Sequence, residues 1–277
     1  MNLPRSLTDT VTLNNGVEMP WFGLGVWKVK GNAVEESVTA AIRHGYRSID
    51  TAKIYGNEEG VGRGIRDAGV PREELFITTK VWNEDQGYDK TLNAIDESLA
   101  RLGLDYVDLY LIHWPGKDKY VDTWRALEKI QQDGKARAIG VCNFKIHHLE
   151  ELLRRSDTVP AVNQVEYHPR LTQPDLLAYC QDKGIQLEAW SPLMQGEILD
   201  EPIIKKIAEQ HGKSPAQVVL RWDLQNGVVT IPKSVKESRI QSNADIFDFE
   251  LFPDEMKQIN ELNQDRRVGP DPDELLF

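Results

Sequence analysis

The stretch DLYLIHWPG, Asp108–Gly116, carries a short apolar run straight into a histidine, a tryptophan and a proline. LYLI has the length and composition of a β-strand, and Pro115, which has no N–H to offer a sheet, ends it. His113 therefore falls at the C-terminal end of a strand. Taken alone, a histidine there is more often a satisfied structural residue than a catalyst, so its meaning depends on what ends the other strands.

Seven further segments read as strands: those beginning near Met19 (MPWFGLGVW), Tyr46 (YRSIDT), Leu75 (LFITTKVW), Ala138 (AIGVCN), Ala161 (AVNQVE), Ile185 (IQLEAWS) and Val228 (VVTIPKS). Between them lie amphipathic helical patterns, such as Leu92, Ile95, Leu99 and Leu102, or Trp124, Leu127 and Ile130. Strand followed by helix, repeated at near-regular spacing, predicts an α/β fold with parallel strands. A count of eight favours the (β/α)8 TIM barrel over an open doubly wound sheet. Ahead of the first unit, TVTLNNGVEMP places two short apolar segments around Asn15-Gly16, a β-hairpin signal. The hairpin is expected to close the bottom of the barrel. With no flexible linker or repeat, residues 1–277 are expected to form a single domain.

Composition narrows the partners. The chain is 40% hydrophobic, has only two cysteines and carries a formal net charge of −11. Such a charge disfavours nucleic acid and anionic lipid. No apolar run approaches the ~20 residues of a membrane span, and MNLPRSLTDT has no signal-peptide core, so a cytoplasmic protein with no membrane partner is expected. Cys142 and Cys180 offer neither a disulfide framework nor a CxxC site. The histidines form no HxH or HExxH pattern, and His147-His148 should straddle a helix face, so no metal is expected. GVGRG, Gly60–Gly64, lacks the GxGxxG spacing of a dinucleotide fingerprint and reads as glycines in a closely packed helix.

In a barrel of this type, chemistry sits where the strands end. The ends are Asp50, Lys80, His113, Asn143, Gln164 with Glu166, Trp190 with Ser191, and Lys233 with Ser234. Asp50, Lys80 and His113 on three consecutive strands would project into one mouth. A cation held by Asp50 in a dry site pulls down the pKa of a neighbouring phenol, and Tyr55 on the loop after Asp50 is placed to be that phenol. The basic run KSVKESR supplies an anion site in an acidic chain. Ser234 and Glu237 have capping-box spacing, which predicts a helix starting there with its positive dipole end free for phosphate.

Together SIDTAKIYGNEEGVG, LFITTKVWN, DLYLIHWP, AIGVCNF, VNQVEYHP, EAWSPL and TIPKSVKESRIQSN resemble the aldo-keto reductase family over essentially the whole chain. The likeness is strongest to small bacterial reductases of the glyoxal, methylglyoxal and diketo-gluconate type. It implies NADPH-dependent reduction of small aldehydes and α-dicarbonyls by a monomer, without a Rossmann fold. The catalytic residues it implies are Asp50, Tyr55, Lys80 and His113, with Tyr55 as proton donor. The cofactor contacts it implies come from Gly25, Val26, Trp27, Asp50, Asn143, Gln164, Trp190, Ser191, Leu193, Ile231, Lys233, Ser234, Arg239 and Asn243. Trp27, Trp82, His113 and Trp114 would line the substrate pocket. Two positions depart from the family pattern: Cys142 stands where serine is usual, and Trp190 where tyrosine is common. Two other functions stay open from the residues: a cofactor-binding module without turnover, and a lyase in which Lys80 forms a Schiff base.

Overall fold

Strand β1 (Thr10–Thr12) pairs antiparallel with β2 (Glu18–Pro20) in the computed structural model, which describes residues 2–275 and 277. The side-chain amides at the turn donate out of it. Asn14 Nδ2 bonds Pro160 O at 3.0 Å and Asn15 Nδ2 bonds Arg137 O at 3.1 Å. Both carbonyls lie at the start of barrel strands, so the hairpin sits against the bottom, as expected.

The barrel strands are β3 (Leu24–Gly25), β4 (Ser48–Asp50), β5 (Phe76–Val81), β6 (Val107–Ile112), β7 (Ala136–Cys142), β8 (Val162–Glu166), β9 (Gln186–Trp190) and β10 (Val229–Thr230). They are parallel and joined in chain order. Parallel bridges Phe22–Thr230 and Gly25–Lys233 close the ring, with Gly23 N donating to Thr230 O at 3.1 Å and Gly25 N to Pro232 O at 3.2 Å. A Cβ on Gly25 would lie 2.8 Å from Ile231 O, so closure of this seam requires glycine. The segment beginning at Met19 is not one strand. Met19 and Pro20 belong to the hairpin, and the barrel strand starts only at Leu24, because the chain must turn at Trp21 to pass from the bottom lid into the wall.

Around the strands lie α1 (Asn32–Arg43), α2 (Glu58–Ala68), α3 (Tyr88–Leu102), α4 (Tyr120–Gln132), α5 (Ile146–Arg155), α6 (Pro174–Lys183), α7 (Pro202–His211), α8 (Pro215–Gln225), α9 (Glu237–Asn243) and α10 (Pro253–Asn260). The sequence stripes face inward: Ile95, Leu99 and Leu102 on α3, and Trp124, Leu127 and Ile130 on α4, are buried. No helix among the described residues is long and apolar enough to cross a membrane.

The glycines of GVGRG are buried in α2, where they let neighbouring helices approach. A methyl on Gly62 would overlap the carbonyl of Leu102 at the end of α3, and one on Gly60 would overlap Val34 of α1. Gly62→Ala is accordingly expected to destabilise the fold by about 1–3 kcal/mol despite alanine's better helix propensity, because backbone cannot move aside as a side chain can. Chemical denaturation of the two proteins measures this directly.

Candidate functional site

Strand register brings the sequence-predicted residues together. Asp50 ends β4 opposite Thr78 of β5, Lys80 of β5 lies opposite Leu111 of β6, and His113 directly follows β6 with its amide on Val81 O at 3.3 Å. Tyr55 ends a short 3₁₀ turn, Lys53–Tyr55, that Gly56 terminates in a left-handed conformation at φ 66°. An ion pair between Lys53 and Asp85 ties that turn to the loop after β5. Asn57 ties it to the loop after β3, its Nδ2 donating to the carbonyls of Val26 and Val29, both at 2.9 Å.

Lys80 is wholly buried. Its Nζ donates to Asp50 Oδ1 at 2.6 Å, Thr51 O at 3.0 Å and Tyr55 Oη at 3.2 Å, which uses all three ammonium protons. Burial works against this cation, but Asp50 first and then Tyr55 and Cys142 together outweigh it, and the lysine pKa is raised. A lysine held in the ammonium form has no lone pair for Schiff-base formation, which removes the chemical basis of the lyase reading.

The effect on Tyr55 differs from the sequence expectation in its net sign. Burial pushes the phenol up to about 12, and Lys80 pulls in the opposite direction without fully offsetting it. Crowding by the barrel mouth desolvates the phenolate more than one ammonium repays. The phenol is therefore fully protonated at neutral pH, which is the form a proton donor needs. His113, by contrast, is pushed down, first by burial and then by Lys80, so its ring is neutral. Its Nδ1 is buried with no hydrogen-bond partner. The ring meets Tyr55 edge-on at 5.9 Å and Trp82 at 5.2 Å, and stacks on Trp114 at 6.5 Å. Trp27 is 41% exposed, with the ammonium of Lys28 over its ring at 4.3 Å.

Beside His113, directly after β7, Asn143 adopts φ 62° and is held by both ends of its amide. Nδ2 donates to His113 O at 2.9 Å, and Oδ1 accepts from Trp190 Nε1 at 2.8 Å. The indole of Trp190 is thereby fixed in plane and half exposed at the mouth. Gln164 Nε2 donates to Asp50 Oδ2 at 2.8 Å, linking β8 to the tetrad. Ser191 has φ 47°, and the loop beyond Leu193 stays irregular, with Met194, Gln195 and Gly196 also at positive φ. Gly25 and Val26 serve the barrel seam. Val26 N donates to Asp50 O at 3.2 Å.

Ile231 and Ser234 are buried where β10 leaves the barrel, whereas Lys233, Lys236 and Arg239 are exposed. Among the described residues none of these three cations forms an ion pair. The expected capping box does not form. α9 begins at Glu237 with Lys236 as its N-cap, and no side chain caps it. Ser234 instead closes a local turn, its Oγ accepting from Lys236 N at 3.4 Å, and the Glu237 carboxylate is drawn away to His44 at 2.8 Å. Asn243 is buried at the end of the same short helix.

The C-terminal segment reaches back over the site. Glu166, at the end of β8, accepts from Val268 N at 2.8 Å and Gly269 N at 2.9 Å and pairs with His168 at 2.6 Å, so one buried carboxylate anchors the tail. Gly269 packs on the rim of the Trp190 ring. Lys145 pairs with Asp271 at 2.6 Å. His147, His148 and Asp273 cluster nearby. His148 Nδ1 accepts the Lys145 amide at 2.9 Å, which leaves its proton on Nε2 and makes that nitrogen a donor rather than a metal ligand. His147 is exposed and His148 buried, the split expected of adjacent residues at a helix start.

The model of the Aldo/keto reductase family matches residues 21–264. The chain belongs to the aldo/keto reductase family. It is 70% identical over 276 residues to the Glyoxal reductase of Bacillus subtilis, covering 99% of this chain and 100% of that one. It is 48% identical over 269 residues to the Methylglyoxal reductase of Salmonella typhimurium, covering 96% and 97%. Among solved structures, the aldo-keto reductase of Bombyx mori in complex with NADP superposes with a TM-score of 0.90 at 38% identity, covering 99% of this chain and 97% of that one. The chain is therefore a carbonyl-reducing oxidoreductase of barrel fold. Two features of this reductase escaped sequence reasoning. Glu166 is visible as a strand-end residue, but its anchoring of a tail a hundred residues later is not. Glu188, an acid between the apolar residues Leu187 and Ala189 of strand QLEAW, is the other.

Proposed function

We propose that this aldo/keto reductase reduces small aldehydes and α-dicarbonyls such as glyoxal and methylglyoxal with NADPH, acting as a monomer. The observation that carries the reading is the Asp50–Lys80–Tyr55 chain of hydrogen bonds at 2.6 and 3.2 Å, with the neutral His113 ring facing the same phenol. A reduced nicotinamide supplies the hydride. Tyr55 then gives its proton to the carbonyl oxygen as charge develops there. Lys80 limits the cost of the phenolate left behind, and Asp50 holds Lys80 cationic. The neutral His113 donates a hydrogen bond to the same oxygen and orients it. An alkoxide is about as basic as hydroxide (~15.7 for water), so transfer from a phenol near 12 runs downhill.

The residues present fit a nicotinamide cofactor. Trp190, fixed in plane by Asn143, offers a stacking face, and Gln164 and Asn143 offer amides beside it for the carboxamide. Three exposed cations, Lys233, Lys236 and Arg239, which form no ion pair among the described residues, suit the extra phosphate of NADPH in a chain whose net charge is −11. The tetrad is complete within a single chain, so a monomer needs no second copy to build it. Trp82 and Trp114 beside His113 favour short or planar substrates. The names of the bacterial relatives point to the same substrate class.

The test is steady-state kcat/KM for glyoxal, methylglyoxal, aromatic aldehydes and keto-sugars, with NADPH and NADH compared. The dicarbonyls with NADPH are expected to lead. A higher value for keto-sugars, or for NADH, would overturn the corresponding part of the reading. A charge-assisted phosphate contact is worth ~1.5–3 kcal/mol, so Arg239→Ala should raise the KM for NADPH by about 10- to 100-fold and leave that for NADH unchanged. An equal rise for both cofactors would remove Arg239 from phosphate recognition.

A further inference from the structure

Glu188 is the one carboxyl at the centre of the site that the proposed mechanism leaves without a task. It projects from β9 into the barrel and is 1% exposed. Its Oε2 accepts from Gln164 Nε2 at 3.0 Å, while Asp50 Oδ2 accepts from the same nitrogen at 2.8 Å. Both amide protons of Gln164 are thus committed to carboxyl oxygens on two different strands. The amide's other end, Oε1, accepts no hydrogen bond among the described residues and is not sealed from solvent. Were the amide to flip, its carbonyl oxygen would face Asp50 Oδ2 at hydrogen-bonding distance with no proton between them. Asp50, which can only accept, therefore sets which end of Gln164 faces the mouth, and Glu188 holds the second amide proton in place.

We propose that Glu188 is a positioning residue: with Asp50 it clamps the NH2 end of Gln164, so that Oε1 is presented as an acceptor to the carboxamide NH2 of the nicotinamide. This rests on the proposed function, in that Gln164 is taken as a carboxamide contact. The clamp adds little charge to the interior. Burial first, and Asp50 next, push the Glu188 carboxyl up to about 8, so at neutral pH it is mainly uncharged. A neutral carboxyl still accepts through its carbonyl oxygen, and Asp50 remains the single counterion of Lys80. A leucine at this position would pack as well but would free one proton of the Gln164 amide and leave only Asp50 to orient it.

The experiment compares dissociation constants of two cofactors for the wild type, Glu188→Leu and Glu188→Gln. One is NADPH; the other is its 3-acetylpyridine analogue, whose acetyl group replaces the carboxamide and has no NH2 to donate to Gln164. Loss of one oriented hydrogen bond, about 1 kcal/mol, corresponds to roughly a five- to tenfold weakening. Glu188→Leu should therefore bind NADPH about five- to tenfold more weakly and the analogue within about twofold of the wild type. Glu188→Gln, which keeps an acceptor, should stay near the wild type for both. Equal weakening of both cofactors, or of neither, would overturn the proposal. If the leucine variant does not fold, Glu188→Thr, too short to reach Gln164 from β9, carries the same comparison with the same two outcomes. A wild type that binds and oxidises NADPH with carbonyl substrates while the variants fail this pattern would sink the clamp alone. A wild type that does not oxidise NADPH with any carbonyl would sink the functional reading beneath it.

Discussion

Tyr55→Phe is expected to lower kcat for methylglyoxal reduction by about a thousandfold, within the ~10²–10⁴ that a positioned general acid contributes. The substitution removes one oxygen at the mouth and leaves the ring, so the 5.9 Å edge contact with His113 and the turn closed by Gly56 should persist. Circular dichroism and the NADPH dissociation constant are expected to match the wild type. Because the phenol lies near 12, its ionisation contributes no limb to the rate profile across pH 6–9. A Tyr55→Phe enzyme retaining a tenth or more of the wild-type kcat would assign the proton to another donor. His113 is the next candidate, since its ring meets that of Tyr55 edge-on at 5.9 Å.

Lys80→Met should cost both rate and stability. The buried ammonium is the partner of Asp50 at 2.6 Å, and breaking such a pair from one side typically costs about 3–5 kcal/mol because a charge is left uncompensated. Gln164 still donates to the other Asp50 oxygen and should soften the loss toward the lower figure. Without the cation the phenolate of Tyr55 loses its one favourable charge, and kcat should fall by at least a hundredfold. The double variant Asp50→Asn/Lys80→Met separates the two effects. Removing both charges should restore most of the stability and none of the rate. Denaturant titration and kcat on the four proteins of the cycle measure this. Recovery of rate in the double variant would show that the pair is structural.

The barrel was legible because each of its parts is a local signal. The apolar runs, the helical stripes of α3 and α4, and Asn15-Gly16 each depend on a few neighbouring residues, and all reappear in the structure. Errors arose where distant chain decides the outcome. Met19 reads as the start of a wall strand, yet pairing with Val11 captures it for the hairpin. Ser234 and Glu237 have the spacing of a capping box, but His44 on another unit claims the glutamate.

The site divides in the same way. Strand ends place Asp50, Lys80 and His113 by register alone, so their proximity follows from the order of the strands. The electrostatic balance does not follow. That Lys80 lowers the Tyr55 pKa is predictable from charge, whereas the larger upward push of burial depends on packing that no spacing reveals. Glu188 and the Glu166 anchor were hidden for a related reason. Each acts on a group far along the chain: Glu188 on Gln164 across a strand pair, Glu166 on the amides of Val268 and Gly269.

The central claim is hydride transfer from NADPH to a small carbonyl at the Tyr55 mouth. Its most direct measurement follows a deuterium label carried on the reactive carbon of the dihydronicotinamide ring into the product of methylglyoxal. With the wild type, deuterium should appear on the new carbinol carbon, in a stoichiometry of one per NADPH oxidised for the transferred position. With Tyr55→Phe the same product should form about a thousandfold more slowly. Alcohol formed without the label, or NADPH bound with no alcohol formed, would contradict the account.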